Sequence, residues 1–135
     1  MYYPVKKRMI FIVDDSRTEI ELTIIALEAT GLEMSVCSAT DGMSALEFLR
    51  DGRCLPDLIL LDLKMAGMNG LDVLREIRAD SLLRKIPVAV VTSSSLESDR
   101  TAAIAAGASD YLQKPWTLGQ FSEDLKSVLH RWLPN

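Results

Sequence analysis

The stretch Met9-Ile10-Phe11-Ile12-Val13-Asp14-Asp15-Ser16 is a run of five apolar residues that ends in two adjacent carboxylates and a serine. A continuous apolar run of this length reads as a strand buried on both faces. Ser16 with Glu19 three residues later forms a capping pair that starts a helix. A dinucleotide site would need a glycine-rich turn here, and Asp14-Asp15-Ser16-Arg17 stands in its place.

The same design recurs along the chain. Leu58-Ile59-Leu60-Leu61 leads to Asp62, Val88-Ala89-Val90-Val91 to Thr92, and Tyr111-Leu112-Gln113 to Lys114. Further helix starts are marked by Asp41, by Asn69 with Asp72, by Ser94 with Glu97, and by Thr117 with Gln120. Gly31, Gly52 and Gly107 fall where helices stop. The last helix carries an apolar stripe at Phe121, Leu125, Val128, Leu129 and Trp132.

Five alternating strand and helix segments predict an α/β fold, a doubly wound (βα)5 parallel sheet with helices on both faces. Strands one, three and four are continuous apolar runs. Met34-Ser35-Val36-Cys37-Ser38 and Ser109-Asp110-Tyr111-Leu112-Gln113 are mixed, as edge strands are. That predicts the flavodoxin-like order 2-1-3-4-5, whose topological switch point lies between strands one and three. The domain is expected over residues 9–133, after a short tail over residues 1–8.

Composition narrows the function classes. The chain has 135 residues, enough for one domain with a proper core. Apolar residues make up 48% and charged residues 25%, which is globular. A net charge of −4 argues against direct nucleic-acid binding. No apolar run reaches membrane-spanning length, and no secretory leader is visible. Cys37 and Cys54 have neither metal-ligand nor redox-motif spacing, so a reduced, cytoplasmic protein is expected.

In this topology Asp14, Asp15, Asp62, Thr92 and Lys114 meet at one sheet edge. Three close carboxylates need a compensating cation or protons. An all-oxygen site with open positions suits magnesium, which also accepts phosphate oxygens. A lysine and a threonine hydroxyl beside it can bind the oxygens of a transferring phosphoryl group, and a carboxylate can be the nucleophile that forms an acyl phosphate.

These residues resemble the receiver domain of a two-component response regulator. The resemblance is carried by Val13-Asp14-Asp15-Ser16, Asp62-Leu63-Lys64-Met65, Gly67-Met68-Asn69-Gly70, Val91-Thr92-Ser93, Gly107-Ala108-Ser109-Asp110-Tyr111 and Lys114-Pro115. It implies that Asp62 accepts a phosphoryl group from a sensor histidine kinase. It further implies magnesium ligation by Asp15 directly, by Asp14 largely through water, by Asp62, and by the backbone carbonyl of Lys64. Thr92 and Lys114 would bind phosphoryl oxygens, and Tyr111 would turn inward when Thr92 moves. Small Ser93 would leave the site open to the donor. Lys64 and Ser94, two residues past Asp62 and Thr92, would tune the phosphoryl lifetime. The Lys114–Pro115 peptide would be cis. One departure is Ala66, where the family commonly has a proline; its loss is expected to loosen the loop slightly.

Taken singly, each residue has a plainer reading. Asp14 or Asp15 could cap a helix, Asp62 could serve a turn, Thr92 could end a strand, and Lys114 could be a solvated charge. Tyr111 could be an ordinary edge-strand aromatic. His130, the sole histidine, fits a helix C-terminus rather than a phosphorylated relay. Trp116 and Trp132 are packing residues, or in the case of Trp116 a partner contact. Leu22, Ile25 and Ala29 either broaden the core face of the first helix, beside Ile20, Ile24 and Leu27, or face a partner.

The expected protein is a stand-alone receiver, monomeric or weakly dimeric and not an enzyme. Its helix 4/strand 5/helix 5 face would control a separate protein, or the phosphoryl group would pass on through a phosphotransfer protein. A phosphohydrolase is the rival enzyme reading, but its general acid would stand where Lys64 does. A degenerate receiver that only binds is opposed by the intact acidic, hydroxyl and ammonium set.

Overall fold

A computed structural model describes residues 7–134. The elements run β1 (Arg8–Val13), α1 (Arg17–Glu28), β2 (Met34–Ala39), α2 (Gly42–Asp51), β3 (Leu58–Leu61), α3 (Gly70–Ala79), β4 (Val88–Thr92), α4 (Glu97–Ala105), β5 (Asp110–Gln113) and α5 (Leu118–Trp132). All strand pairs are parallel, and the order is β2-β1-β3-β4-β5. The predicted fold and strand order therefore hold. Most of the expected tail, residues 1–6, lies outside the described residues, and Arg8 is the first residue of β1.

Side chains alternate across the strands and divide the core in two. Phe11, Val13, Ile59, Leu61, Val88 and Val90 face α2, α3 and Ala103 of α4. Ile10, Ile12, Leu58, Leu60, Ala89 and Val91 face α1 and α5. β3 and β4 are buried throughout, whereas β2 and β5 are only partly covered. The mixed composition of the two edge strands reflects that difference.

Four of the five predicted helix starts form as expected. The side chains of Ser16, Asp41, Asn69 and Thr117 accept backbone N–H groups of Glu19, Ser44, Asp72 and Gln120. The Ser94 cap does not form: α4 begins after Leu96, which makes no side-chain cap bond, and the Ser94 hydroxyl is engaged elsewhere. Gly52 ends α2 in the left-handed region at φ 73°, a conformation that glycine adopts without strain. Cys37 and Cys54 are free thiols.

Three expectations are corrected, two about surfaces and one about a peptide bond. Trp132 departs from the α5 stripe and is 37% exposed, because its indole N–H reaches the Asp110 carboxylate at 3.0 Å. Leu22 and Ile25 do not broaden the core face of α1; they are 40% and 48% exposed. α5 already covers the inner side of α1, where Ile20, Ala26 and Leu27 are buried. No peptide bond among the described residues is cis, so the Lys114–Pro115 bond is trans, the form favoured in X–Pro bonds by about 0.5–1 kcal/mol.

Candidate functional site

The sheet ladder runs past the strand ends and fixes the site backbone. The Asp14 N–H donates to the Ala39 carbonyl at 3.2 Å, the Asp62 N–H to Val13 at 3.0 Å, and the Lys114 N–H to Thr92 at 2.8 Å. Asp14, Asp62 and Lys114 thus leave the sheet from backbone positions set by the neighbouring strands. Oxygens of Asp14, Asp15 and Asp62 lie within 4.8 Å of one another. Asp14 and Thr92 are buried, Asp62 is half-buried and Asp15 is exposed.

Each carboxylate has its own support. Asp14 Oδ1 accepts the Ser16 N–H at 3.0 Å, and its Oδ2 lies 3.1 Å from Lys114 Nζ. Asp62 Oδ1 faces the Lys64 N–H at 3.4 Å. Asp15 Oδ2 accepts the Ala66 N–H at 3.2 Å. That last bond changes the meaning of the Ala66 departure, because a proline there would offer no N–H. Ala66 supplies a donor that steadies Asp15.

The charges are strongly coupled. Burial raises the pKa of Asp62, and the Asp14 charge raises it further, against the opposing pull of Lys114, the Lys64 N–H and the Thr92 hydroxyl. Burial alone would lower the pKa of Lys114, but Asp14, Glu19 and Asp62 outweigh it and raise it. Lys114 is therefore a firmly charged ammonium aimed into an acidic cluster. An all-oxygen donor set with excess negative charge fits a hard divalent cation such as magnesium.

Tyr111 is partly buried against the core beside α4. Its hydroxyl oxygen is buried and has no hydrogen-bond partner among the described residues. Burial and then the Asp99 charge raise its pKa. The Arg100 guanidinium lies 5.4 Å from the ring centroid. His130 is exposed in the last turn of α5.

Two carboxylates that sequence reading did not place in the site belong to it. Glu19, read only as a capping partner, lies 3.1 Å from Lys114 Nζ and shares that ammonium with Asp14. Its place in the first turn of α1, directly after Asp14 and Asp15, was the available signal. Asp99 pairs with Lys64 at 3.2 Å, and only the folded topology brings those two together. A groove of about 480 Å³ opens beside Lys114 and is lined by Glu19, Leu22, Ser93, Trp116, Leu118 and Phe121. Trp116 is fully exposed at its rim.

A family model described as the response regulator receiver domain matches residues 10–126. The DNA-binding response regulator MtrA of Mycobacterium tuberculosis is 35% identical over 125 residues, covering 93% of this chain and 52% of that protein. The chain thus spans about half the length of the MtrA proteins it matches. The crystal structure of the phosphorylated cyanobacterial phytochrome response regulator RcpA is similar with a TM-score of 0.87 at 33% identity, covering 96% of both chains. The receiver domain of the sensor histidine kinase PA1611 from Pseudomonas aeruginosa PAO1 has a TM-score of 0.81 at 28% identity, covering 96% of this chain and 100% of that one. That structure holds a magnesium ion coordinated in its active site cleft.

Proposed function

The chain belongs to the response regulator receiver domain family, and from that premise we propose that it is a phosphorylation switch whose acceptor is Asp62. Receiver domains of two-component systems accept phosphate from histidine kinases. The observation that carries the reading is the convergence of Asp14, Asp15 and Asp62 within 4.8 Å, with Lys114 bonded to Asp14.

A carboxylate oxygen of Asp62 attacks phosphorus, a new O–P bond forms, and the P–N bond to the donor imidazole breaks. Lys114 and the Thr92 hydroxyl would hold two phosphoryl oxygens. Asp15, Asp62 and the Lys64 carbonyl would hold magnesium, with Asp14 acting largely through water. The bound ion would offset the carboxylate charge and draw the phosphoryl oxygens toward it. Thr92 and Tyr111 would then move together, shifting the face made by α4, β5 and α5. A separate protein reads that face, or the phosphoryl group passes to a second histidine. Incubation with acetyl phosphate and magnesium should add one phosphoryl group to the intact mass, and chelation should prevent it. A folded protein that gains no mass under rapid quench would refute the reading.

Leu22 lines the groove beside Trp116, Ser93 and Lys114, and exposed Ile25 lies three residues further along α1. They suit an apolar helix of the kinase that carries the phosphohistidine. Trp116→Ala should slow transfer from a histidine kinase that labels the wild type by at least about tenfold, as for a central aromatic anchor. Labelling by acetyl phosphate, which needs no docking, should stay within about twofold. Equal losses with both donors would place Trp116 in the chemistry instead.

A further inference from the structure

Lys64 and Ser94 stand two residues past Asp62 and Thr92, and both converge on one carboxylate of α4. Lys64 Nζ lies 3.2 Å from Asp99 Oδ2, and the Ser94 hydroxyl donates to the same oxygen. Ser94 Oγ also accepts the Leu96 N–H at 3.2 Å, and the Ser94 N–H donates to Thr92 Oγ1 at 3.3 Å. A chain of contacts therefore runs from Asp62, which faces the Lys64 N–H, through Lys64, Asp99 and Ser94 to Thr92.

Little else anchors the start of α4. Its cap residue Leu96 makes no side-chain bond, and Ala103 is its only buried residue. A nine-residue helix that buries one alanine gains little from apolar burial and sits at the low-stability end of the fold. The ion pair and the serine bond thus carry much of the hold on its first turn. Arg100, next to Asp99, lies over the Tyr111 ring, so motion of this turn reaches Tyr111.

We propose that Asp99 is a positioning residue that holds the Lys64 ammonium away from Asp62 until a phosphoryl group arrives, and that the phosphoryl group frees the start of α4 by taking Lys64 from Asp99. This rests on the reading of Asp62 as the acceptor. A phosphoryl group brings close to two negative charges where Asp99 offers one. The Lys64 side chain is 62% exposed, and its flexible four-carbon stem can serve either partner.

The test uses the full chain as wild type, Asp99→Asn, Lys64→Gln and the double variant. Hydrogen exchange of the α4 amides and the growth of the phosphoryl adduct from acetyl phosphate with magnesium are both measured. In the wild type, α4 exchange should rise on phosphorylation. Each single variant should show exchange raised about two- to fivefold without phosphate, the range of an exposed ion pair, and little further rise with it. Adduct growth should be about two- to fivefold faster in Asp99→Asn and slower in Lys64→Gln. On the Lys64→Gln background the Asp99→Asn change should leave adduct growth unaltered.

A helix-capping role alone would free α4 in Asp99→Asn but leave Lys64→Gln unchanged, and would overturn the proposal. So would faster labelling by Asp99→Asn without Lys64. An adduct on the wild type with α4 exchange unaltered in Asp99→Asn overturns the latch alone. No adduct on the wild type overturns the acceptor reading and the release step with it.

Discussion

Asp62→Asn is expected to abolish the phosphoryl adduct while making the metal-free protein more stable at neutral pH. The loss follows from removing the nucleophile: an amide oxygen at that position cannot form the acyl phosphate. The stability gain follows from the raised pKa of Asp62, which burial and the Asp14 charge produce. A native pKa above the unfolded one means that the folded protein binds the proton more tightly. The contribution of Asp62 to stability is then full below the unfolded value, about 4, and is lost as pH rises through the native value.

At neutral pH the ionised Asp62 opposes folding, and the amide does not. The variant should melt a few degrees higher, about 2–5 °C, without magnesium. The gap should close as pH falls through the raised native value toward the ordinary carboxylate range. Added magnesium should narrow the gap by binding the native wild type. Thermal melts across pH, with chelator and with magnesium, check each part. A variant that melts lower than the wild type at neutral pH would contradict the charge argument.

Gly70→Ala should be the most damaging small substitution near the site, although Gly70 touches no reacting atom. Gly70 is buried at the start of α3, and its N–H donates to the Leu63 carbonyl at 3.0 Å. A methyl group there would overlap the Asp62 carbonyl oxygen and lie 2.7 Å from Leu63 Cα. Both neighbours are backbone, so no side-chain rotation relieves the clash. The loop after β3 must move away from α3 and carry Asp62 with it. The expected loss is about 3 kcal/mol, the upper end for overpacking, or about 10 °C in melting temperature. The rate of labelling should fall as well. Gly119→Ala is the control: a methyl there meets nothing within 4 Å, so the variant should fold at least as stably as the wild type. Equal effects at both positions would refute the packing argument.

The fold was legible because strong local signals agreed. Apolar runs at β1, β3 and β4, mixed runs at β2 and β5, and side-chain caps at four helices all pointed to one topology. The misses came from competition for a side chain. Ser94 carries the chemistry of a cap, but Asp99 and the Leu96 N–H engage its hydroxyl instead. Trp132 fits a helical stripe, but Asp110 holds its indole outward.

The site shows the same division. Strand-end positions collected Asp14, Asp15, Asp62, Thr92 and Lys114, because topology alone decides where strands end. Glu19 and Asp99 were not read into it, since each acts by holding a lysine distant in sequence. Ala66 looked like a simple loss of rigidity. Its contribution is a backbone donor to Asp15, which no side-chain pattern reveals.

The most direct test of the central claim is to locate the phosphoryl group on the chain. The wild type would be labelled with acetyl phosphate and magnesium, reduced with borohydride to trap an acyl phosphate, and digested with trypsin for peptide mass mapping. The predicted result is reduction at Asp62 alone within the peptide spanning Cys54–Lys64, distinguished from Asp57 by fragmentation and absent when magnesium is chelated. Label at Asp14, Asp15 or Asp57, or label that does not need magnesium, would contradict the account.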